Sequence, residues 1–297
     1  GVTWETQRKG YPGTLKFSII NDGVVNFQEG NEVRFKMNNN NVFRGFIFTK
    51  QHDKEGIINI TAYDQLRYLK NKTIFQYKNK TANEVIQKIA NDFELQTGVL
   101  EDTKFKIENQ IEDDQTLFDI ILNALDITLD NTGEVYVLYD DFGELTLKNI
   151  GSMRVNLLID AESGENFDYT SSINEKTFNQ IMLKRDNEET GQKEVYPLND
   201  INNIKKWGVL QYYGTVNDKV NIGNMADILL KLYNKKSTNF SLTNVFGDVR
   251  VRGGSFVLVK LDLGDVKIQN WMLVESAKHT FSKDEHFMDL KLRGGGI

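Results

Sequence analysis

The chain has 297 residues, of which 39% are hydrophobic, and is therefore long enough for roughly two domains with separate cores. Its formal net charge of -6 argues against a dedicated nucleic-acid-binding module, because phosphate contacts need clustered Lys and Arg. The sequence has no cysteine, which excludes disulfides and Cys-ligated zinc and permits assembly in the cytoplasm. It also has neither a long apolar run nor a signal-peptide pattern, so we expect no membrane span and no general secretion.

Three alternating segments, residues 30–37, 42–48 and 57–64, predict strands near the N-terminus. In the first of them apolar residues alternate with charged ones, which is typical of a half-buried antiparallel meander. The four asparagines at 38–41 suit a hairpin turn, since Asn tolerates positive φ. Gly45, inside a strand, predicts a bulge or a close approach of another backbone.

Residues 77–150 predict a compact α+β insert. Thr81 and Glu84 form a capping-box pattern, followed by apolar residues at helical spacing as far as residue 93. We expect a second helix with Asp113 and Asp114 in its first turn, where negative charge favours the helix dipole. Alternating residues at 134–148, broken by a Gly-containing turn, then predict a hairpin.

The C-terminal half begins with residues 151–177, whose polar composition predicts a linker or an extended crossover. Strand-like patterns resume at residue 178 and continue to residue 293, including an expected strand at 248–252. One amphipathic helix near residues 225–236 interrupts them, and Gly264-Asp265 predicts a hairpin turn.

Histidine and acidic clusters supply no catalytic constellation. His52, His279 and His286 lack metal-ligand spacing, and we expect the acidic residues near His286 to be a solvated turn and strand. The pairs Asp113-Asp114 and Asp140-Asp141 are adjacent in sequence, whereas glycoside hydrolysis needs two carboxylates on opposite sides of a sugar. We interpret these pairs as a helix cap and a turn.

The glycine-containing segment 250–254 has some features of a phosphate-binding loop. Its glycines stand beside arginines, but the Lys-Ser/Thr ending of such a loop is missing and no helix pattern follows. We therefore predict a turn at the end of a strand. No catalytic, cofactor-binding or metal-binding residue is predicted anywhere in the chain.

Six motifs resemble the XkdQ and YqbQ family, which consists of hub proteins of contractile phage and phage-like tails. Together they extend over nearly the whole chain and consist of strand and turn residues. They are Glu29–Phe35, Phe43–Gly45, Ile60–Arg67, Thr132–Leu138, Arg252–Val259 and Val274–Phe281.

The resemblance implies a β-rich α+β fold related to the myovirus baseplate hub, with two barrel-like tube domains and an inserted α+β region. The expected division is a first barrel at 1–76, the insert at 77–150, a linker or crossover at 151–177 and a second barrel with an inserted helix at 178–297. The resemblance also implies that the chain starts inside the first strand of the first barrel.

A hub of this family is a non-enzymatic homotrimer whose six barrels form a ring between the sixfold tail tube and the threefold spike. The expected partners are therefore the tube protein, the spike protein and other baseplate proteins, without specific nucleic-acid binding and without a cofactor. The expected location is the tail baseplate of a phage or phage-like particle, after assembly in the cytoplasm of the bacterial host.

The alternative is a carbohydrate- or cell-wall-binding tail module that stacks sugars on exposed aromatic side chains. The candidates are Trp4, Trp207, Trp271, Tyr212 and Tyr213. Trp271, however, lies in an alternating strand, and we expect it to fill a barrel core. Oligomeric mass distinguishes the two hypotheses, because a hub forms trimers and a carbohydrate reader binds cell-wall material as a monomer.

Overall fold

An antiparallel meander opens the computed structural model, which describes residues 1–294. Its strands are β1 (Val2–Gln7), β2 (Thr14–Ile20), β3 (Glu32–Met37), β4 (Asn40–His52) and β5 (Ile57–Tyr63). Asn38 and Asn39 adopt positive φ in the β3–β4 turn, as predicted. A Cβ on Gly45 would lie 2.2 Å from the carbonyl oxygen of Tyr63, which confirms the predicted close approach of another backbone.

The predicted α+β insert follows as two helices packed on short sheets. Its elements are a 3-10 helix (Gln65–Lys70), β6 (Lys72–Tyr77), α1 (Ala82–Asp92), β7 (Thr97–Leu100), β8 (Gln110–Thr116), α2 (Leu117–Thr132), β9 (Tyr136–Asp141) and β10 (Glu144–Asn149). We call residues 65–150 the first insert. The capping box of Thr81 and Glu84 is present. Asp113 and Asp114 lie in β8 and not in a helix, because the side chain of Thr116 caps α2.

Two strands occupy the segment predicted as a linker, which corrects that prediction. After a short 3-10 helix (Ile150–Ser152) come β11 (Arg154–Asp160) and β12 (Asn166–Ser172). Val155 and Ile159 of β11 are buried. Most residues of β12 are exposed because it lies at the edge of the sheet, and its polar composition therefore resembles that of a loop.

A small α/β unit, residues 177–236, interrupts the C-terminal strands, and we call it the second insert. It contains β13 (Gln180–Asp186), β14 (Lys193–Asn199), α3 (Ile201–Trp207), β15 (Gln211–Val216) and α4 (Ile222–Tyr233). Helix α4 confirms the predicted amphipathic helix. The sequence analysis missed α3, which has no buried residue and hence no apolar periodicity, and which connects β14 to β15. Strand β15 pairs parallel to β13.

The last strands are β16 (Ser237–Phe246), β17 (Phe256–Asp262), β18 (Lys267–Ser282) and β19 (Glu285–Gly294). Residues 248–252 form a turn and not the expected strand. Gly264, with a φ of 90°, confirms the turn between β17 and β18. Together these strands and the N-terminal meander form one 11-stranded sheet in the order β12-β16-β19-β18-β1-β2-β5-β4-β3, with β11 and β17 beside β18.

The curled sheet surrounds two separate apolar cores. One lies among the N-terminal strands, where the rings of Phe35 and Phe281 meet at 4.9 Å between centroids and join β3 to β18. The other lies among β11, β12 and β16–β19, with Phe240 fully buried. The structure thus has the predicted β-rich α+β class. Within residues 1–294, no helix combines the length and apolar character that a membrane-spanning helix needs.

Candidate functional site

Strand β18 is shared between the two halves of the sheet. Leu273 pairs with Phe256 of β17, whereas Ser276 pairs with Gln7 of β1, so β17 and β1 follow one another along the same edge. Strand β19 lines the other edge from Leu273 to Ser282. Between the part of β18 that pairs with β17 and the part that pairs with β1, the backbone N–H of Arg8 donates to the carbonyl of Glu275 at 2.9 Å. This point joins the two apolar cores.

The turn at residues 250–254 inserts into this junction. The N–H of Gly253 donates to Oγ1 of Thr6 at 2.9 Å, and a Cβ on Gly253 would lie only 2.3 Å from the carbonyl carbon of Gln7. Gly254 has a φ of 95° and lies against the side chain of Val137 of the first insert. The segment is therefore a packed turn, as predicted, and its glycines allow close approach of neighbouring backbones and not of a phosphate.

Two buried carboxyl groups lie where the first insert meets the N-terminal strands. Oδ2 of Asp64 accepts from the N–H of Gly13 at 2.9 Å, and Oδ1 of Asp140 accepts from the N–H of Gly143 at 2.6 Å. Oδ2 of Asp140 also accepts from the N–H of Gln65 at 3.2 Å. Burial raises the pKa of Asp64, with the nearby Asp140 contributing, and burial raises the pKa of Asp140.

Arg252 faces both carboxyl groups and favours their charged forms. Its Nη1 donates to the backbone carbonyl of Asp140 at 3.1 Å, while its Nε is buried without a partner. The guanidinium also lies over the rings of Trp4 and Tyr139. Three parts of the chain thus meet at one polar cluster, whose contacts join their backbone segments.

The buried His279 and the half-buried His286 form a second pair. Nε2 of His279 lies 2.8 Å from the carbonyl oxygen of Val251, and its Nδ1 lies 2.8 Å from Nε2 of His286. The carbonyl can only accept, so His279 donates through Nε2–H, and its Nδ1 accepts a hydrogen bond from Nε2–H of His286. Burial lowers the pKa of His279 to about 4, and burial also lowers the pKa of His286. Both rings are therefore neutral at pH 7 and serve as packed hydrogen-bonding groups.

The other acidic candidates have structural positions. Asp113 and Asp114 lie in β8, and Asp114 pairs with Lys72 at 3.0 Å on the surface. Asp140 belongs to the buried junction, whereas its neighbour Asp141 is exposed. No group of three or more His, Cys, Asp or Glu within residues 1–294 has the arrangement of a metal site.

The aromatic candidates do not share one face. Trp4 is buried at 2% exposure, and Trp207 is half-buried. Trp271 is half-buried under the guanidinium of Arg154 and does not fill a core as expected; its neighbour Met272 does so instead. Tyr212 and Tyr213 are consecutive in β15, so they point to opposite faces of their sheet.

A cavity of about 240 Å³ lies between α2, residues 8–11 and the second insert, whose helix α4 also contacts α2. Helix α2 contributes five apolar side chains to its wall, and the second insert contributes Tyr212 and Tyr233. Asp130 of α2 lines it as well, and burial, followed by the charge of Asp126, raises the pKa of Asp130 to about 6. The sequence analysis missed this acid, because the partly buried environment comes from a distant part of the chain.

A family model described as YQBQ-like matches residues 2–293. This chain belongs to the YqbQ-like family. The predicted resemblance is therefore confirmed. The YqbQ-like chain is 31% identical over 303 residues to the phage-like element PBSX protein XkdQ of Bacillus subtilis strain 168. It is 30% identical over 301 residues to the uncharacterized protein YqbQ of the same strain. Each alignment covers 97% of this chain and 90% of the relative.

The fold of the YqbQ-like chain is also known from a solved tail protein. The 43 kDa tail protein of prophage MuSo2 from Shewanella oneidensis superposes with a TM-score of 0.68 at 14% identity. The match covers 98% of this chain and 93% of that protein. At this identity the likeness establishes the shared fold.

Proposed function

We propose that this chain is a structural, non-enzymatic subunit of a contractile-tail baseplate hub. It forms a homotrimeric ring that adapts the sixfold tail tube to a threefold spike. The observation that carries this proposal is the shared strand β18, which holds two curled half-sheets, each with its own core, in one rigid unit. The relative from the phage-like element PBSX and the fold shared with a prophage tail protein support the same assignment.

The mechanism is geometric. Three copies of a chain with two curled half-sheets place six such units around one axis, which suits a sixfold tube on one side. The chain itself repeats only three times, so the other side keeps the threefold symmetry that a spike requires. The partners are accordingly the tube protein, the spike protein and other baseplate proteins, and the location is the tail of a phage or phage-like particle assembled in the host cytoplasm.

Unpaired strand edges supply the means of assembly. Strand β3 ends the sheet on one side and β12 ends it on the other, and β11 pairs only with β17. Such edges present rows of free N–H and C=O groups that pair readily with another chain. In a ring, an edge of one copy meets an edge of the next, which extends pairing between subunits.

Two measurements test the proposal. Light scattering of the full chain should give three times the subunit mass of 34.1 kDa, and its complex with the tube and spike proteins should contain three copies of the chain. Electron microscopy of the assembled tail should place six half-sheets around the axis in one layer. A chain that stays monomeric beside its partners and is retained on cell-wall material contradicts the hub and favours the carbohydrate-binding alternative.

A further inference from the structure

The sheet of the second insert has one covered and one open face. Helix α4 packs against Ile181 and Leu183 of the central strand β13, and both side chains are fully buried. On the opposite face, Met182 of β13 pairs with Pro197 of β14 and with Tyr213 of β15. These three residues therefore form one row across all three strands. We call this face, with the neighbouring Val195, the outer sheet face.

The outer sheet face is exposed and apolar. Tyr213 is 61% exposed and Val195 is 54% exposed, and no other element within residues 1–294 covers them. Lys184 lies beside Val195 in the same register and pairs with Asp186 at 3.2 Å, and the exposed Lys193 lies opposite Asp186 at the end of the same face. An exposed apolar row bordered by charged residues is typical of a protein interaction site.

A second open apolar site lies on the first insert. Strands β6 and β8 form a two-stranded ribbon whose inner side buries Phe75 and Tyr77. Alternation places Ile74 and Ile111 on the outer side, where they are 71% and 62% exposed. Asp113 and Asp114 occupy the bulge of β8 opposite Ile74. The outer side of this ribbon thus combines two isoleucines with two exposed carboxylates.

The two inserts carry opposite net charges. Residues 65–150 contain 16 Asp and Glu against nine Lys and Arg, a net charge of -7. Residues 177–236 contain nine Lys and Arg against seven Asp and Glu, a net charge of +2. On the two faces themselves, the ribbon carries Asp113 and Asp114, whereas the outer sheet face carries Lys184 and Lys193 against Asp186. The faces are therefore complementary in charge as well as in apolar character, which favours pairing between them over pairing of like with like.

We propose that the ribbon of one copy packs on the outer sheet face of the next copy. Ile74 and Ile111 contact the row that contains Met182 and Tyr213, while Asp113 approaches Lys184. Such a contact joins two different surfaces, so it continues from copy to copy and closes when the rotation permits. This inference rests on the proposed ring and specifies which surfaces hold the inserts together.

Site-directed cross-linking tests the contact, because the natural chain has no cysteine. The single variants Ile111→Cys and Tyr213→Cys are prepared separately, mixed in the presence of the tube and spike proteins, and oxidised. A covalent dimer should form in the mixture and in neither variant alone. Mixing also excludes a disulfide within one chain.

A matched control uses Val99→Cys in place of Ile111→Cys, since Val99 is 69% exposed and lies on the same insert. That mixture should cross-link much less. Equal cross-linking of both mixtures, or none in a sample that light scattering shows to be trimeric, overturns the inferred contact and leaves the hub intact. A sample that never exceeds the monomer mass contradicts both proposals.

Charge reversal provides a second readout. Asp113→Lys and Lys184→Glu should each lower the association constant between copies of the chain by about fivefold, which is the effect expected from an exposed ion pair. The double variant should recover most of this loss, because the pair is then restored with opposite polarity. An additive loss in the double variant contradicts the contact.

Discussion

The guanidinium of Arg252 lies 4.3 Å from the centre of the Tyr139 ring, so the turn before β17 is fixed to the hairpin of the first insert. The same guanidinium lies 5.7 Å from the ring of Trp4 in β1. Its Nη1 also donates to the carbonyl of Asp140. One side chain thus contacts both sheet halves and the insert, and its removal should loosen all three together.

Replacing Arg252 by Met should lower the free energy of unfolding by about 2 kcal/mol, through the lost cation–π contacts and hydrogen bond. Urea unfolding followed by tryptophan fluorescence measures the change. Arg250→Met is the matched control, because the Arg250 side chain is 60% exposed and pairs only with Asp248 in the same turn. If Arg250→Met lowered the free energy of unfolding as much as Arg252→Met, the conclusion that Arg252 holds the two sheet halves and the first insert together would be contradicted.

Replacing Gly253 by Ala should destabilise the fold by at least about 2 kcal/mol, as expected for overpacking in a tightly packed place. The added methyl group would lie 2.5 Å from the backbone nitrogen of Arg8, and this nitrogen cannot move without disturbing its bond to β18. Thermal unfolding monitored by circular dichroism tests this. Gly151→Ala should change the midpoint little, because its nearest neighbour is a side-chain oxygen of Asn149 at 3.2 Å.

Acid should weaken the fold through His279. Since its pKa in the folded state is about 4, below the ordinary value of 6.5, the unfolded chain takes up this proton first as the pH falls. The stabilisation is complete above pH 6.5 and is lost progressively towards pH 4, by about 3 kcal/mol for a shift of this size.

The pH dependence of unfolding tests this contribution. His279→Phe should flatten the slope between pH 4 and 6.5, although it lowers stability at pH 7 by removing the bond to the Val251 carbonyl. An unchanged slope in His279→Phe contradicts the assignment.

Replacing Asp130 by Asn should stabilise the protein at pH 7. The folded state holds the proton of Asp130 up to about pH 6, so ionisation costs stability as the pH rises from about 4 to above 6. Because solvent screens the charge at this partly exposed site, we expect Asp130→Asn to raise the free energy of unfolding at pH 7 by about 1 kcal/mol. Asp126→Asn, one turn earlier at a more exposed position of the same helix face, should raise the free energy of unfolding by less, and urea unfolding at pH 5 and 7 compares the two variants.

Local signals predicted local structure well. The capping box at Thr81, the asparagine turn at 38–39 and the turn at Gly264 all formed as expected, because each depends on residues within a few positions. Gly45 also met the predicted neighbouring backbone. The family motifs consist of the same turn and strand residues, which explains why the family could be recognised from the sequence.

Features that depend on edge positions or on long-range contacts could not be predicted from the sequence. Strand β12 lies at the edge of the sheet, and most of its residues are exposed and polar. Its sequence therefore predicts a linker or an extended crossover. The burial of Asp130 depends on the second insert, which packs across the cavity. The partial exposure of Trp271 depends on Arg154, far away in the sequence. None of these environments leaves a periodic pattern.

The sequence by itself determined the strand-rich composition, the turns, the helix caps and the family, because these depend on each residue and its near neighbours. The tertiary structure decided that β1 pairs with β18, which brings Val2 opposite Phe281. It also decided that Arg252, Tyr139 and Trp4 meet at one junction. Such contacts depend on where distant strands come together, since a strand's pattern indicates which face is buried but not which strand lies beside it.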